Sequence, residues 1–436
     1  MNKLFFSFLL VIVGISSCKK ETTESIPITI TAKPNILLVI ADDIGVESIP
    51  FYNIGAITPQ MPVLSSLANE GITFTNVWAN PICAPTRATI LTGKYGYRTG
   101  VLNVTDAGTI GANELTLQTY IDQHTNNAYE HALFGKWHLS NDVNGPTNMG
   151  IGHFAGLLAG GVSDYNNWKL TQNGGSSMYE GYITTKITDL AVDWIQEQSA
   201  PWFCWVAYTA PHTPYHLPPD SMHHHGGMSS DQSVIDANPQ PYFHAMAESV
   251  DSELGRLLQS IPADELENTL IIFIGDNGTD GQVNQAPYLP TQCKGTLSEG
   301  GIRVPMVVSG NGVSRFNEIE SSLVSSTDLF ATIAQIAGVP VDQYQDSYSF
   351  KNLLNESGTG KRTYNYSEVK GAFPPRSGYT IRDSEYKLIQ YDNGNQNLFH
   401  LGTDPYETTD LTLGSLTADA ELARQELMTQ ADVIRQ

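Results

Sequence analysis

Cysteine, positive charge and long apolar runs are all scarce in this chain. Its 436 residues hold four cysteines, Cys18, Cys83, Cys204 and Cys293. So few cannot supply a framework of bridges for a fold of this length. Cys204 and Cys293 read as two buried thiols rather than a pair. Lysine and arginine total 23 against 45 aspartates and glutamates, a formal net charge of −22. Nothing in that balance would neutralise a phosphate backbone, so nucleic acid is excluded as a partner. The same excess repels a small anion at long range, and local cations would have to overcome it. The one long apolar run, residues 4–15, is too short to span a bilayer. Internal repeats are absent.

What stands at the N-terminus is a targeting pattern. Met1-Asn2-Lys3 is a short basic start to that apolar run, and Gly14-Ile15-Ser16-Ser17-Cys18 follows it. The pentapeptide resembles a bacterial lipobox. The resemblance implies a signal peptide over residues 1–17, cleavage before Cys18 and a lipid anchor on its thiol. Residues 18–33, rich in Lys, Thr and Ser, then read as a tether. The expectation is an exported lipoprotein of a bacterium, in the periplasm or at the cell surface.

The remainder is globular: 41% of residues are hydrophobic and 16% charged, enough apolar material for a large core. Asn35-Ile36-Leu37-Leu38-Val39-Ile40-Ala41 is an unbroken apolar run, the mark of a strand covered on both faces. Similar runs stand at 131–134, 202–208, 270–274 and 304–308, with helical stretches at 62–69, 242–258 and 326–337. Alternation of this kind predicts an α/β fold, a large mostly parallel sheet sandwiched by helices, over residues 34–345. From residue 346 the texture changes to short alternating strands at 378–382, 386–391 and 396–400. These predict a small antiparallel sheet subdomain, packed with a helix from Ala418 onward.

Four apolar runs end in reactive side chains: Asp42-Asp43, Lys136-Trp137-His138, Pro211-His212-Thr213 and Asp276-Asn277-Gly278. Open α/β sheets bind ligands at the carboxyl ends of their strands, so these endings converge on one rim. Asp42, Asp43, Asp276 and Asn277 together offer three carboxylates and an amide oxygen, hard ligands suited to Ca²⁺ or Mg²⁺. Either pair alone would be an ordinary turn or helix cap.

Cys83 stands in Pro81-Ile82-Cys83-Ala84-Pro85-Thr86-Arg87-Ala88-Thr89-Ile90-Leu91-Thr92-Gly93. Pro85 fits a first helical turn, which puts residue 83 at a helix N-terminus, where free amides attract an anion. Arg87, one turn on, adds a guanidinium toward the same point. This run resembles the signature of the sulfatase family, members of the alkaline phosphatase superfamily. Gly135-Lys136-Trp137-His138, Pro211-His212-Thr213, Lys294 upstream of Glu299-Gly300-Gly301-Ile302-Arg303, and Asp404-Pro405-Tyr406-Glu407 are similar to further family motifs. Ala128-Tyr129-Glu130-His131 departs from the pattern usual before the second of these.

The resemblance implies a great deal. Cys83 would be oxidised by a formylglycine-generating or anaerobic sulfatase-maturating enzyme to 3-oxoalanine (formylglycine), whose hydrate is the nucleophile. Asp42, Asp43, Cys83, Asp276 and Asn277 would hold one Ca²⁺. Asp276 would act as base, Arg87, Lys136 and Lys294 would hold the sulfate, His212 would protonate the leaving alcohol, and His138 would take the last proton. The substrate would be a sulfated carbohydrate, algal such as ulvan or carrageenan, or a host glycan. Two rival functions stay open: a phosphodiesterase or phosphonate hydrolase of the same superfamily, and a non-catalytic glycan-binding lipoprotein. His223-His224-His225 reads as loop, His216 is ambiguous, and Tyr165, Trp168 and Tyr179 are either core or sugar-stacking platforms.

Overall fold

A computed structural model of the chain describes residues 33–436 except 112, 359 and 372–376. The expected leader, Cys18 and all of the tether but Lys33 lie outside the described residues. Ten strands form the main sheet. From one edge they run Glu318–Glu320, Gly71–Phe74, Met306–Gly310, Thr269–Gly275, Asn35–Ala41, Trp202–Ala207, Glu130–Lys136, His153–Leu157, Asn167–Gln172 and Gly175–Glu180. The Asn35–Ala41 strand sits between Thr269–Gly275 and Trp202–Ala207, parallel to both. Its period-2 geometry divides one apolar run between two cores. Ile36, Leu38 and Ile40 face a core that includes Ile90, Leu117 and Phe330. Leu37, Val39 and Ala41 face another that includes Leu64, Ile187 and Val250. Helices Cys83–Thr92, Leu117–Thr125 and Leu329–Ile336 cover the first face; Pro62–Asn69, Ile183–Gln196 and Gln240–Ser260 cover the second.

Two strands inside the sheet depart from the parallel pattern. Asn167–Gln172 is antiparallel to both its neighbours, and so is Met306–Gly310. In the second case the reason lies in the connection. The chain leaves the sheet after Gly275 and re-enters beside the same strand end, so it must run back the other way. That excursion, residues 276–305, stays on the carboxyl rim and carries Asp276, Asn277 and Lys294.

The small sheet is a meander of four strands, Asn365–Val369, Gly378–Arg382, Tyr386–Tyr391 and Gln396–His400. The helix Ala418–Ile434 packs Ala420, Leu427 and Ala431 against Ile381, Leu388 and Leu398. The first strand adds to the three read from sequence. Its buried Asn365, Ser367 and Glu368 hide it from an apolar pattern. Tertiary partners satisfy them: Asn365 donates to Val324 O at 3.1 Å, Ser367 donates to Ala79 O at 2.9 Å, and Glu368 accepts from Tyr97 N at 2.7 Å. No helix among the described residues is long and apolar enough to cross a membrane.

Candidate active site

Cys83 opens the helix Cys83–Thr92, which is buried along its whole length and ends at Gly93 in the left-handed region, φ 67°. The N-cap, Ile82, brings no capping side chain, so first-turn amides stay available to an anion. Arg87 joins three loops. It donates to Asp276 Oδ2 at 2.8 Å and to Lys136 O at 2.7 Å, and lies 3.9 Å from Asp42 Oδ2. Lys136 Nζ forms a short, fully buried ion pair with Asp42 Oδ2. Lys294 Nζ donates to Asp43 Oδ2 at 2.6 Å. His138 Nδ1 lies 3.2 Å from Cys83 Sγ, and His212 Nε2 lies 3.8 Å from Asp43 Oδ2. Asn277 Nδ2 donates to Asp43 Oδ1 at 2.9 Å, so all ten site residues singled out in the sequence meet in one place.

Charge in this cluster balances before any ligand arrives: Asp42, Asp43 and Asp276 against Arg87, Lys136 and Lys294. Burial, followed by repulsion from Asp276, pushes the Asp42 carboxyl well above its ordinary range despite Lys136. Burial also opposes the charge on Asp43, but Lys294, helped by His212 and Lys136, more than offsets it and holds that carboxyl low. Two buried oxygens have no hydrogen-bond partner in the protein, Asp42 Oδ1 and Asn277 Oδ1. Ligand atoms of Asp42, Cys83 and Asp276 lie within 4.8 Å of one another, as do those of Asp42, Asp43 and His212. Crowded buried carboxylates with unpaired oxygens are what a hard divalent cation satisfies. The residues present therefore fit such an ion.

The histidines are prepared differently. His212 Nδ1 lies 2.7 Å from Thr213 O, a pure acceptor, so Nδ1 carries the proton and Nε2 faces the site. Burial lowers its pKa to about 4. Burial, then Lys136 and Arg87, lowers that of His138 to about 2. Burial pushes the Cys83 thiol up, so it is not poised to act as a thiolate. Backbone strain also gathers here. Asp43 and His138 both hold left-handed conformations, φ 68° and 58°.

Two supports escaped the sequence reading. Tyr165 is core and not a stacking platform: it is 2% exposed, and its hydroxyl donates to His212 O at 2.5 Å. Trp168 is likewise buried and donates to Gly181 O at 3.2 Å; Tyr179 stays half-buried beside Lys186. The second support is Gly160-Gly161, which passes directly over the histidines. A Cβ on Gly160 would stand 2.3 Å from His138 Nε2, and one on Gly161 3.2 Å from His212 Cε1. The only advance signal was a glycine pair after an apolar stretch. Gly160→Ala is expected to push the His138 ring off Cys83 and lower kcat by about 10²-fold, since a displacement near 1 Å costs that much. Steady-state kinetics beside an unchanged circular dichroism spectrum checks it.

Other histidines lie apart from the cluster. His216 packs at a tilt against the Tyr165 ring, centroids 4.1 Å apart, and its Nε2 lies 3.1 Å from the Tyr182 hydroxyl. His224 Nδ1 and His225 Nε2 each lie 3.2 Å from a Glu248 oxygen. None of these three is in a candidate metal cluster among the described residues.

Comparison with known proteins gives the cluster its context. The sulfatase family profile matches residues 34–339, and a profile for the C-terminal part of N-sulphoglucosamine sulphohydrolase matches residues 293–431. The chain is 28% identical to the uncharacterized sulfatase YdeN of Escherichia coli, over 88% of this chain and 76% of that protein. It is 24% identical to an ulvan-active sulfatase of Formosa agariphila, over 92% of this chain and 82% of that one. The solved structure of Ps i-CgsB in complex with k-i-k-neocarrahexaose superposes with a TM-score of 0.79 at 24% identity, covering 93% of this chain and 94% of that one. A family match over most of the chain and a fold shared over 93% of it lead to one conclusion: the protein belongs to the sulfatase family and is an enzyme, a sulfuric ester hydrolase.

Proposed function

We propose that the protein removes sulfate from a sulfated polysaccharide or oligosaccharide, with formylglycine made from Cys83 and one calcium ion. The observation that carries this is the convergence of Cys83, three cations, three carboxylates and two histidines within one buried cluster. The raised thiol pKa supports a modified side chain over a thiolate. The ulvan-active relative supports a glycan substrate.

Asp42, Asp43, Asp276 and Asn277, with residue 83, would hold the cation, which supplies Lewis-acid polarisation when bound. It also turns a neutral cluster into a positive one, which answers the repulsion expected from a net charge of −22. Arg87, Lys136 and Lys294 orient the sulfate oxygens and stabilise the charge they gain. Asp276 accepts a proton at its carboxylate from the attacking hydroxyl at position 83. His212 presents Nε2 to the departing alcohol oxygen, with Lys294 Nζ at the same Asp43 oxygen, Oδ2. The bound sulfate's own negative charge raises the pKa of this histidine, so Nε2 gains the proton it must give. His138 Nδ1, facing residue 83, takes the proton whose loss frees sulfate. Residues 1–17 act in this reading as an export leader, and Cys18 as a lipid anchor that displays the enzyme to glycans outside the cytoplasm.

The test has two parts. After co-expression with a maturation enzyme, the peptide containing residue 83 is expected to weigh about 18 Da less than its cysteine form, the difference between a thiol carbon and an aldehyde. An unmodified thiol overturns the nucleophile. Sulfated oligosaccharides, an aryl sulfate and the matched aryl phosphate are then assayed together. Turnover of an oligosaccharide is expected; turnover of the aryl sulfate alone overturns the glycan substrate, and faster turnover of the phosphate overturns sulfatase specificity.

A further inference from the structure

The small C-terminal sheet reaches the active site through a buried ionic triad. Lys387, in the strand Tyr386–Tyr391, is fully buried. Its Nζ lies 3.1 Å from Glu299 Oε1, 2.7 Å from Glu407 Oε1 and 4.8 Å from the centre of the Trp78 ring. Glu407 closes the triangle by accepting the Glu299 amide at 2.8 Å on its other oxygen. It holds a left-handed conformation, φ 58°, to do so. None of these groups touches the site chemistry, yet three buried charges and a strained residue cost more than an apolar contact of the same volume.

What the triad holds is a turn that abuts the cation ligands. Glu299–Ile302 is a single helical turn, and Gly301 O accepts from Gly278 N at 2.9 Å. The fit is close: a Cβ on Gly278 would lie 1.8 Å from Gly300 O. Gly278 directly follows Asp276-Asn277. On the other side Gln292 donates to Glu407 O at 3.2 Å, and two residues on, Lys294 N donates to Thr279 O at 3.0 Å while Gly295 N donates to Pro81 O at 2.7 Å. The triad therefore bears on both chain segments that enter the site from the 276–305 excursion.

We propose that Lys387, Glu299 and Glu407 are positioning residues, through which the C-terminal sheet sets the turn against Gly278 and so the reach of Asn277 and Lys294 into the site. The proposal rests on the cation reading given above. A positioned turn tightens the cation by outer contacts, and by reciprocity the cation tightens the turn.

Calorimetric titration of calcium into calcium-depleted full-length protein tests it, on wild type and on Glu407→Gln. The variant is expected to bind with a Kd about 10-fold weaker or more at unchanged stoichiometry. A Kd within twofold of wild type overturns the proposal, even if stoichiometry and activity fall together, because that pattern is loss of folded protein. Wild type that takes up no calcium overturns the cation reading itself, and this proposal with it. A second measurement does not depend on the variant folding. In wild type, calcium is expected to slow hydrogen exchange at the amides of Gly278 and Glu299; exchange there that ignores calcium overturns the proposal.

Discussion

Cys83→Ala is expected to leave a folded protein whose sulfatase turnover falls by about 10⁴-fold or more, the usual cost of removing a nucleophile, which the proposed function makes residue 83. The side chain is small, 2% exposed and at the start of a helix packed on all sides. Its loss removes one sulfur atom's contacts and is expected to cost no more than about 1 kcal/mol of stability. Activity and stability should therefore part company, with kcat lost and the urea midpoint nearly unchanged. Parallel losses of both would mean that Cys83 serves packing. Cys83→Ser sharpens the point. Serine keeps one oxygen on that carbon and lacks the second that releases sulfate, so a burst near one product per enzyme should precede the stall. Sustained turnover by the serine variant would sink formylglycine as the reacting group.

Arg362→Met is expected to cost about 3–5 kcal/mol of stability, because it strands a buried carboxylate. Arg362 is 7% exposed and grips Asp328, with Nε donating to Oδ2 at 2.7 Å. It also donates to the Tyr95 hydroxyl at 2.5 Å and to Asp346 O at 2.7 Å. Asp328 in turn accepts from Ser325 N at 2.9 Å and Tyr348 N at 2.7 Å, closing the cap of the turn Ser326–Asp328 that leads into the helix Leu329–Ile336. One arginine thus binds the approach to the C-terminal sheet onto a core helix. In the variant Asp328 keeps its amide donors but loses its countercharge. Urea unfolding measures the loss. The double variant Arg362→Met with Asp328→Asn should recover part of it, since the stranded charge is gone. A double variant no more stable than the single one would place the cost in packing.

Much of this molecule could be read along the chain, for a specific reason. Strands buried on both faces must be apolar throughout, so 35–41, 202–208 and 270–274 announce themselves. Whatever breaks such a run at its carboxyl end stands on the rim, which made Asp42, Lys136, His212 and Asp276 legible as one site. The strand 365–369 did not announce itself, because its buried side chains are polar and their partners come from 76–97 and 324. Nor did Tyr165 as the support of the His212 loop: an aromatic residue looks the same in a sequence whether it lines a groove or braces a backbone.

The sequence by itself pointed to the chemistry proposed for this protein. Residue types at set spacings single out a cysteine, hard oxygen ligands, three cations and two histidines, and local rules place most of them at a strand end or in the first turns of a helix. Only the tertiary structure decided which charge meets which. Lys136 answers Asp42, Lys294 answers Asp43 and Arg87 answers Asp276, across separations of 94, 251 and 189 residues. It also decided that Asp42 Oδ1 and Asn277 Oδ1 stay unpaired, and that Gly160 passes over His138 with no room for a methyl group. The physical reason is the range of the forces. Period and propensity act over a few residues, whereas Coulomb attraction and close packing depend on distance in space, which this chain sets only once its strands have found their order.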